Sequence, residues 1–383
     1  METINKKYKV TAQVLTPLSI GQGSENDWVY GVDYLVRTDP DDEKRLLLYH
    51  LDLGKIYAAG IDINRMSFLW ANNDIVGIDR LIGNKLKSVS DFVLPLPYNI
   101  DRQGLKNPIK TFLRNDLTNH PILAGSSLKG ALRSVLFKEL REKDEQGNDR
   151  VLGSMTAGND FMRFIRIGDF EFERTRLVNT KIFNLYKKNG QWQGGWKHSA
   201  DNDDKEKAYS YDAIGFNTIY ECLPPMATAE GSIMFADKLF DRIAEQPYRD
   251  KKNTIMHSPI TEFCRIVNKH TDAYLDKEYA FFDKYEVDYT GNILNAIDDI
   301  QVVINDCVTQ ENHSCVLKMS AGSGFHSITG DWQFTDYTGN DGHTLGQGKK
   351  YHCDLPKSRK IAVSGTNPFS LMGFIKLTFT ETK

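Results

Sequence analysis

Apolar and polar residues alternate through YKVTAQVL at 8–15, with Tyr8, Val10, Ala12 and Val14 on one side. A period of two marks a strand with one buried face. TPLSIGQGS at 16–24 breaks the alternation with turn residues and sets Gly21 and Gly23 two apart. Strand-like runs DYLVR (33–37) and RLLLYHL (45–51) flank the acidic turn TDPDDE. Residues 51–90 change to a helical rhythm, broken at Asn72–Asn73, and PLPYNIDRQGLKNP (95–108) reads as a loop. Leu128, Leu132, Val135, Leu136 and Leu140 then recur at helical spacing, which predicts a helix over 127–142.

FIRIGDFEF (164–172) and VNTKIFNLYKK (178–188) read as strands. NGQWQGGWKHSADNDDKEK (189–207) is polar and Gly-rich, and predicts a mobile loop. Its Trp192 and Trp196 are candidate partner contacts, or else the loop folds back on its own tryptophans. NTIYECL (217–223) and GSIMFA (231–236) predict two strands across Pro224–Pro225. Composition shifts after about residue 245, and 257–310 has few breakers and a helical pattern. VLKMSAGSGFHSITG (316–330) is a second glycine loop, followed by a polar stretch at 335–348 and by PKSRKIAV (356–363) and GFIKLTF (373–379). Strands, helix, strands, helices, then strands make an α+β chain. The shift near 245 predicts an N-terminal domain over 1–245 and a C-terminal one over 246–383, with the helical region 257–310 inside the second.

The chain has 383 residues, 40% hydrophobic and 26% charged, enough for two cores. Its net charge of −3 excludes a globally basic polyanion binder. Two stretches depart from that balance. Residues 101–143 hold nine Lys/Arg against four acids, and 349–360 hold five against Asp354 alone. The five cysteines are scattered and form no C-x-x-C pair, which predicts a reducing, cytoplasmic setting and no zinc ribbon. METINKKYKV lacks the apolar core of a signal peptide, and no run is long enough to span a membrane. His313-x-Cys315 and His352–Cys353 are too closely spaced to furnish a tetrahedral metal site, so neither metal nor cofactor is expected.

GSSLKGALR at 125–133 is the most informative stretch. Ser126 or Ser127 suits an N-cap, and a capping box would place an acid three residues on. From Ser126 that position is Lys129, with Arg133 one turn later on the same face. Gly130 lowers helix propensity by about 1 kcal/mol relative to alanine. Each choice opposes the helix, and each suits a bound anion, with free N–H groups, cations and room for a close approach. The plain alternative is an amphipathic helix with a basic solvent face. A nucleotide P-loop is excluded, because the G-x-x-x-x-G-K-[ST] spacing is missing.

Taken together, TPLSIGQGS, GSSLKGALR and the later glycine loop resemble the RAMP superfamily, the RNA-binding proteins of CRISPR effector complexes. YECLPP, GSGFHSITG, PKSRKIAV and the closing PFSLMGFIKL are similar to the Csm-type subunit of type III-A systems that caps the crRNA 3′ end. The resemblance implies two ferredoxin-like, RRM-related modules, the second irregular with a helical insertion. It implies crRNA running over a sheet face and the GSSLKGALR helix. The implied RNA-binding residues are Gly21, Gly23, Ser126, Ser127, Lys129, Gly130, Arg133, Gly322, Gly324, Lys357 and Arg359, with Gly330 and a stacking role for Phe325 beside them. The implied partners are crRNA, a backbone RAMP subunit, target RNA and a host nuclease that trims the guide. The implied role is crRNA maturation and antiviral defence.

Catalysis is not expected. The resemblance offers Asp27, in the loop after the first strand, and His50 as groups for a RAMP ribonuclease. A lone carboxylate without base or metal is weak chemistry, and a half-buried strand histidine explains His50 as well. The ribonuclease reading stays as the alternative.

Overall fold

The alternation at residues 8–14 becomes the central strand of the largest sheet. The computed structural model describes residues 5–98, 100, 104–142, 147–188, 191–197, 217–243, 245–285, 291–309, 313–319, 343–345, 349–351, 358–363 and 369–382. Along the chain come β1 (Lys6–Val14), β2 (Tyr34–Asp39), β3 (Asp42–Leu51), α1 (Leu53–Ala58), α2 (Ile63–Ala71), α3 (Ile75–Ile82), β4 (Ser90–Pro95) and β5 (Ile122–Leu123). Next are α4 (Gly125–Leu140), α5 (Asn148–Val151), β6 (Ile165–Ile167), β7 (Phe170–Glu171), β8 (Arg176–Lys188), β9 (Gln191–Trp196), β10 (Asn217–Cys222) and β11 (Thr228–Phe235). The remainder comprises α6 (Asp237–Asp241), α7 (Arg249–His257), α8 (Ile260–Lys284), α9 (Gly291–Thr309), β12 (Ser314–Lys318), β13 (His343–Leu345), β14 (Lys349–Tyr351), β15 (Ser358–Val363), β16 (Phe369–Ser370) and β17 (Phe374–Glu381).

The main sheet has the order β12-β17-β1-β11-β6, with every neighbouring pair antiparallel. Tyr8, Val10, Ala12 and Val14 are buried, as the alternation predicts, while Lys7 and Lys9 lie on the exposed face. The buried face packs on α4 through Leu128, Leu132 and Leu136, and on α8 through Phe263 and Val267. Burying a side chain of this size contributes roughly 1.5–3 kcal/mol, so the two helices are held by their apolar stripes rather than by propensity. The sheet joins both ends of the chain, and its pairing crosses residue 245.

A second sheet, β10-β8-β15-β16, carries β9 on the edge of β8. Phe183 and Trp196 pack there against Phe281, Phe282 and Ile297 from α8 and α9. A third sheet, β2-β3-β4, backs onto α1–α3. Asp52, Asp62 and Asp74 cap those three helices, accepting from Lys55, Arg65 and Gly77 N–H at 2.8, 3.0 and 2.8 Å.

The glycine-rich stretch at 189–207 differs from expectation in its described part. Residues 191–196 form β9, paired with β8 from Phe183↔Trp196 to Lys188↔Gln191. Gly194 is required there, because a Cβ would stand 2.4 Å from the Tyr285 carbonyl. Trp196 is 1% exposed and Trp192 packs on the same cluster, so both tryptophans serve the core. The polarity of the flanking residues hid the strand. Cys222, Cys264, Cys307 and Cys315 are buried free thiols. Among the described residues no group of side chains is arranged to hold a metal, and no helix is long and apolar enough to cross a membrane.

Candidate nucleic-acid interface

The helix opened by GSSLKGALR begins earlier than its serines suggest. Ala124 is the N-cap residue, without a side-chain cap, and Gly125 is the first helical residue. The Gly125 N–H donates to Asp169 Oδ1 at 2.7 Å, so a carboxylate from the β6–β7 turn takes the N-terminal position. A Cβ on Gly125 would lie 2.3 Å from the Ile167 carbonyl, which makes this glycine the packing requirement of the motif. Ser126 and Ser127 are therefore first-turn residues, not the cap. Lys129 moves to the second turn, where the helix dipole opposes it little.

Lys129 has a different cost. Burial lowers its pKa first; Asp160 raises it, while Arg133 and Arg166 lower it further. Arg133 donates to Asp160 Oδ2 at 2.8 Å, and Asp160 is 2% exposed and also accepts from Met162 N–H at 2.9 Å. The fold thus commits Arg133 to a buried carboxylate. Among the described residues neither Lys129 nor Arg166, exposed on edge strand β6, has an ion-pair partner. Ser126 and Gly130 are exposed beside them, and a Cβ on Gly130 would meet nothing within 4 Å. The result is a ridge of two cations without an ion-pair partner among the described residues, at the edge of the main sheet. Arg166, Asp160, Asp169 and Gly125 belong to this site and escaped the sequence reading. All but Gly125 lie 27 or more residues from Arg133 in the chain.

The first glycine loop stands close by through one connecting segment. The Ile20 carbonyl accepts from Leu113 N–H at 3.1 Å, and the Leu113 carbonyl accepts from Ile122 N–H at 2.8 Å, two residues before α4's cap. Gln22 donates to Thr111 Oγ1 at 3.1 Å. Gly21 is exposed with open space around it, and Gly23 has φ +102°, a conformation that favours glycine. Gly322, Gly324, Gly330, Phe325 and Lys357 lie outside the described residues.

Three of the nine cations at 101–143 are answered in space by distant acids among the described residues. Lys110 pairs with Asp27, Arg114 with Glu221, and Arg133 with Asp160. Arg359 also departs from expectation. It is 2% exposed, donates from Nε to Glu278 Oε2 at 2.6 Å, and lies 3.9 Å over the Phe281 ring. The strand β15 turns this cation into the core, where it cannot reach a surface ligand. Lys360, one residue on, is half-buried against Tyr220 and contacts its hydroxyl.

The groups weighed for catalysis have structural partners. Asp27, its side chain 7% exposed, holds Lys110. His50 stacks on Phe92 at 4.6 Å and bonds Asp91 Oδ1 through Nδ1 at 2.8 Å.

The RAMP superfamily model matches residues 11–248. Among curated proteins none matches significantly. A chain from a cryo-EM structure of a Csm–crRNA–target RNA ternary complex of a type III-A CRISPR-Cas system aligns over 97% of this chain and 100% of its own. It shares 17% identity at a TM-score of 0.59. The crystal structure of Csm5 from T. onnurineus aligns over 95% of this chain and 99% of its own, at 16% identity and a TM-score of 0.57.

Proposed function

The chain belongs to the RAMP superfamily, and we propose that it is the non-catalytic, RNA-binding subunit that caps the 3′-end side of crRNA in a type III-A effector complex. The observation that carries this reading is the pair of cations without an ion-pair partner among the described residues, Lys129 and Arg166, beside the exposed Ser126 and Gly130. Holding a desolvated lysine next to two arginines costs the free chain stability, and a phosphate would offset that cost. The full-length likeness to Csm5 supports the place in the complex.

In this reading the RNA backbone follows the α4 ridge and the Gly21–Gly23 loop. The partners are crRNA, the backbone RAMP subunit, target RNA and a host nuclease that completes maturation, all in the cytoplasm. The order β17-β1-β11-β6, with α4 and α8 as the crossovers, supports a ferredoxin-like first module. The sheet β10-β8-β15-β16, with α8 and α9 on one face, supports the irregular second one. The division at 1–245 and 246–383 cuts across both modules, since β8, β9 and β10 of the second sheet precede residue 245 and β12 and β17 return to the first.

Reconstitution with the backbone subunit and crRNA tests the role. Native mass spectrometry should find one copy of this chain per complex, and the purified chain should not cleave crRNA or target with or without divalent metal. Several copies in a row would make it a backbone subunit. Cleavage lost in Asp27→Ala or His50→Ala would make it the ribonuclease.

A further inference from the structure

A cavity of about 230 Å³ lies where the third sheet meets the second. Its wall includes Arg45 from β3, Pro97 and Tyr98 after β4, Arg176 from β8, and Ser370 from β16. Two arginines line it and, among the described residues, no acid does. Both guanidinium Nε atoms are buried without a hydrogen-bond acceptor among the described residues. Arg45 forms a loose ion pair with Asp39, 3.9 Å from Nε and too long for a hydrogen bond. Asp42 is occupied by the Tyr98 hydroxyl at 3.0 Å.

Arg176 is the sharper case. Its immediate neighbours Leu177 and Val178 are apolar, and its partner across the ladder is Cys222. Burial holds its guanidinium below the usual arginine range. Its Nε is a buried donor without an acceptor among the described residues, and a donor left so costs roughly 1–3 kcal/mol. Guanidinium geometry matches the oxygens of phosphate, through paired N–H donors. Tyr98 is 43% exposed at the rim, with Arg45 5.7 Å from its ring centroid, so its ring offers a face for a flat group. The volume corresponds to roughly seven or eight waters at about 30 Å³ each. That admits a phosphate with one ring attached and excludes a stacked pair of nucleotides.

We propose that this cavity is an anion pocket that takes the phosphate of a single nucleotide unit, held by Arg176 and Arg45, with its base or sugar against Tyr98. The unit comes either from a free nucleotide or from an RNA strand. The second source rests on the RNA-binding reading above; the first does not.

Binding to the full chain at fixed salt separates these sources. The probes are uridine 5′-monophosphate, uridine, and an eight-nucleotide single-stranded RNA. The variants are Arg176→Gln, Arg176→Lys and Arg45→Ala, with Lys129→Ala/Arg166→Ala for comparison. Because burial disfavours the Arg176 charge, Arg176→Gln should keep the wild-type melting temperature, and Arg176→Lys provides a charge-keeping control. The monophosphate should bind and uridine should not. Arg176→Gln should weaken the monophosphate, the RNA or both by at least about tenfold, with a smaller loss in Arg176→Lys. Loss for the monophosphate identifies a free-nucleotide pocket, and loss for RNA alone identifies a strand-bound unit. Unchanged binding of both probes in Arg176→Gln overturns the pocket. If the ridge variant alone loses RNA and Arg176→Gln keeps both probes, the pocket fails and the RNA-binding function stands. If Arg176→Gln alone loses RNA, the pocket stands and the ridge fails.

Discussion

Arg133 reaches from α4 to the carboxylate of Asp160 at 2.8 Å, and Asp160 is 2% exposed. The basic face of this helix is therefore divided, with one cation committed to the fold and another, Lys129, left toward solvent. The division predicts opposite behaviour for two neighbouring substitutions. Arg133→Ala leaves a buried carboxylate with its Met162 N–H alone, and should lower stability by about 1–3 kcal/mol in urea unfolding. Lys129→Ala should cost little, because burial, the largest influence on its charge, outweighs the attraction of Asp160. Equal losses in both would mean that Lys129 is also structural.

Arg359 and Glu278 predict a larger effect. Both side chains are essentially buried, at 2% and 0% exposure, and Phe281 lies under the guanidinium. Arg359→Ala should destabilise by about 3–5 kcal/mol, since Glu278 is left charged in the core. Arg359→Lys should recover only part, because an ammonium neither stacks on Phe281 nor matches the carboxylate as a guanidinium does. Chemical denaturation of the three proteins checks this, and an Arg359→Ala protein of wild-type stability would show the pair to be dispensable.

Much of the scaffold was readable in the chain. The alternation at Tyr8–Val14 and the spacing from Leu128 to Leu140 depend on local periodicity, and both elements stand within two residues of expectation. The three helices between β3 and β4 follow the helical rhythm at 51–90, with the break at Asn72–Asn73. What local pattern could not supply was pairing at a distance. The acids that answer Lys110, Arg114 and Arg133 lie 27 to 107 positions away, so a charge excess counted along the chain overstated the basic surface. The same holds for Asp169, which displaced the serines from the cap. Strand β9 was hidden because Gly194 and its polar neighbours mimic a loop, and its reason lies in the Phe183 ring and the Tyr285 carbonyl. The motif GSSLKGALR pointed to the right helix, but the cation that stands with Lys129 is Arg166 rather than Arg133.

Two buried lysines set the pH response. Burial brings Lys318 down to about 7 and Lys252 to about 8, from an ordinary value of 10.5. The folded protein sheds these protons at lower pH than the unfolded chain does. Stability should therefore rise with pH from about 7 toward 10.5, and the full penalty applies below 7. Above about pH 9 the buried thiols, Cys222 among them, oppose the trend, because burial keeps them protonated in the fold. Between about pH 7 and pH 8.5 Lys318 alone should contribute roughly 1–2 kcal/mol of gain. Unfolding midpoints across that range should climb in the wild type and climb less steeply in Lys318→Met, where Lys252 alone remains. An equal climb in the variant would exclude Lys318 as the source.

The salt dependence of RNA binding by wild type and by Lys129→Ala/Arg166→Ala is the most direct test of the α4 ridge as an RNA-binding surface. Each phosphate of single-stranded RNA that the protein no longer neutralises removes about 0.7 from the slope of log affinity against log salt. The double variant should bind a single-stranded RNA more weakly whatever its base sequence. Its slope should be smaller by about 1.4, and its melting temperature without RNA should hold or rise slightly. An affinity and slope equal to those of the wild type would contradict the account.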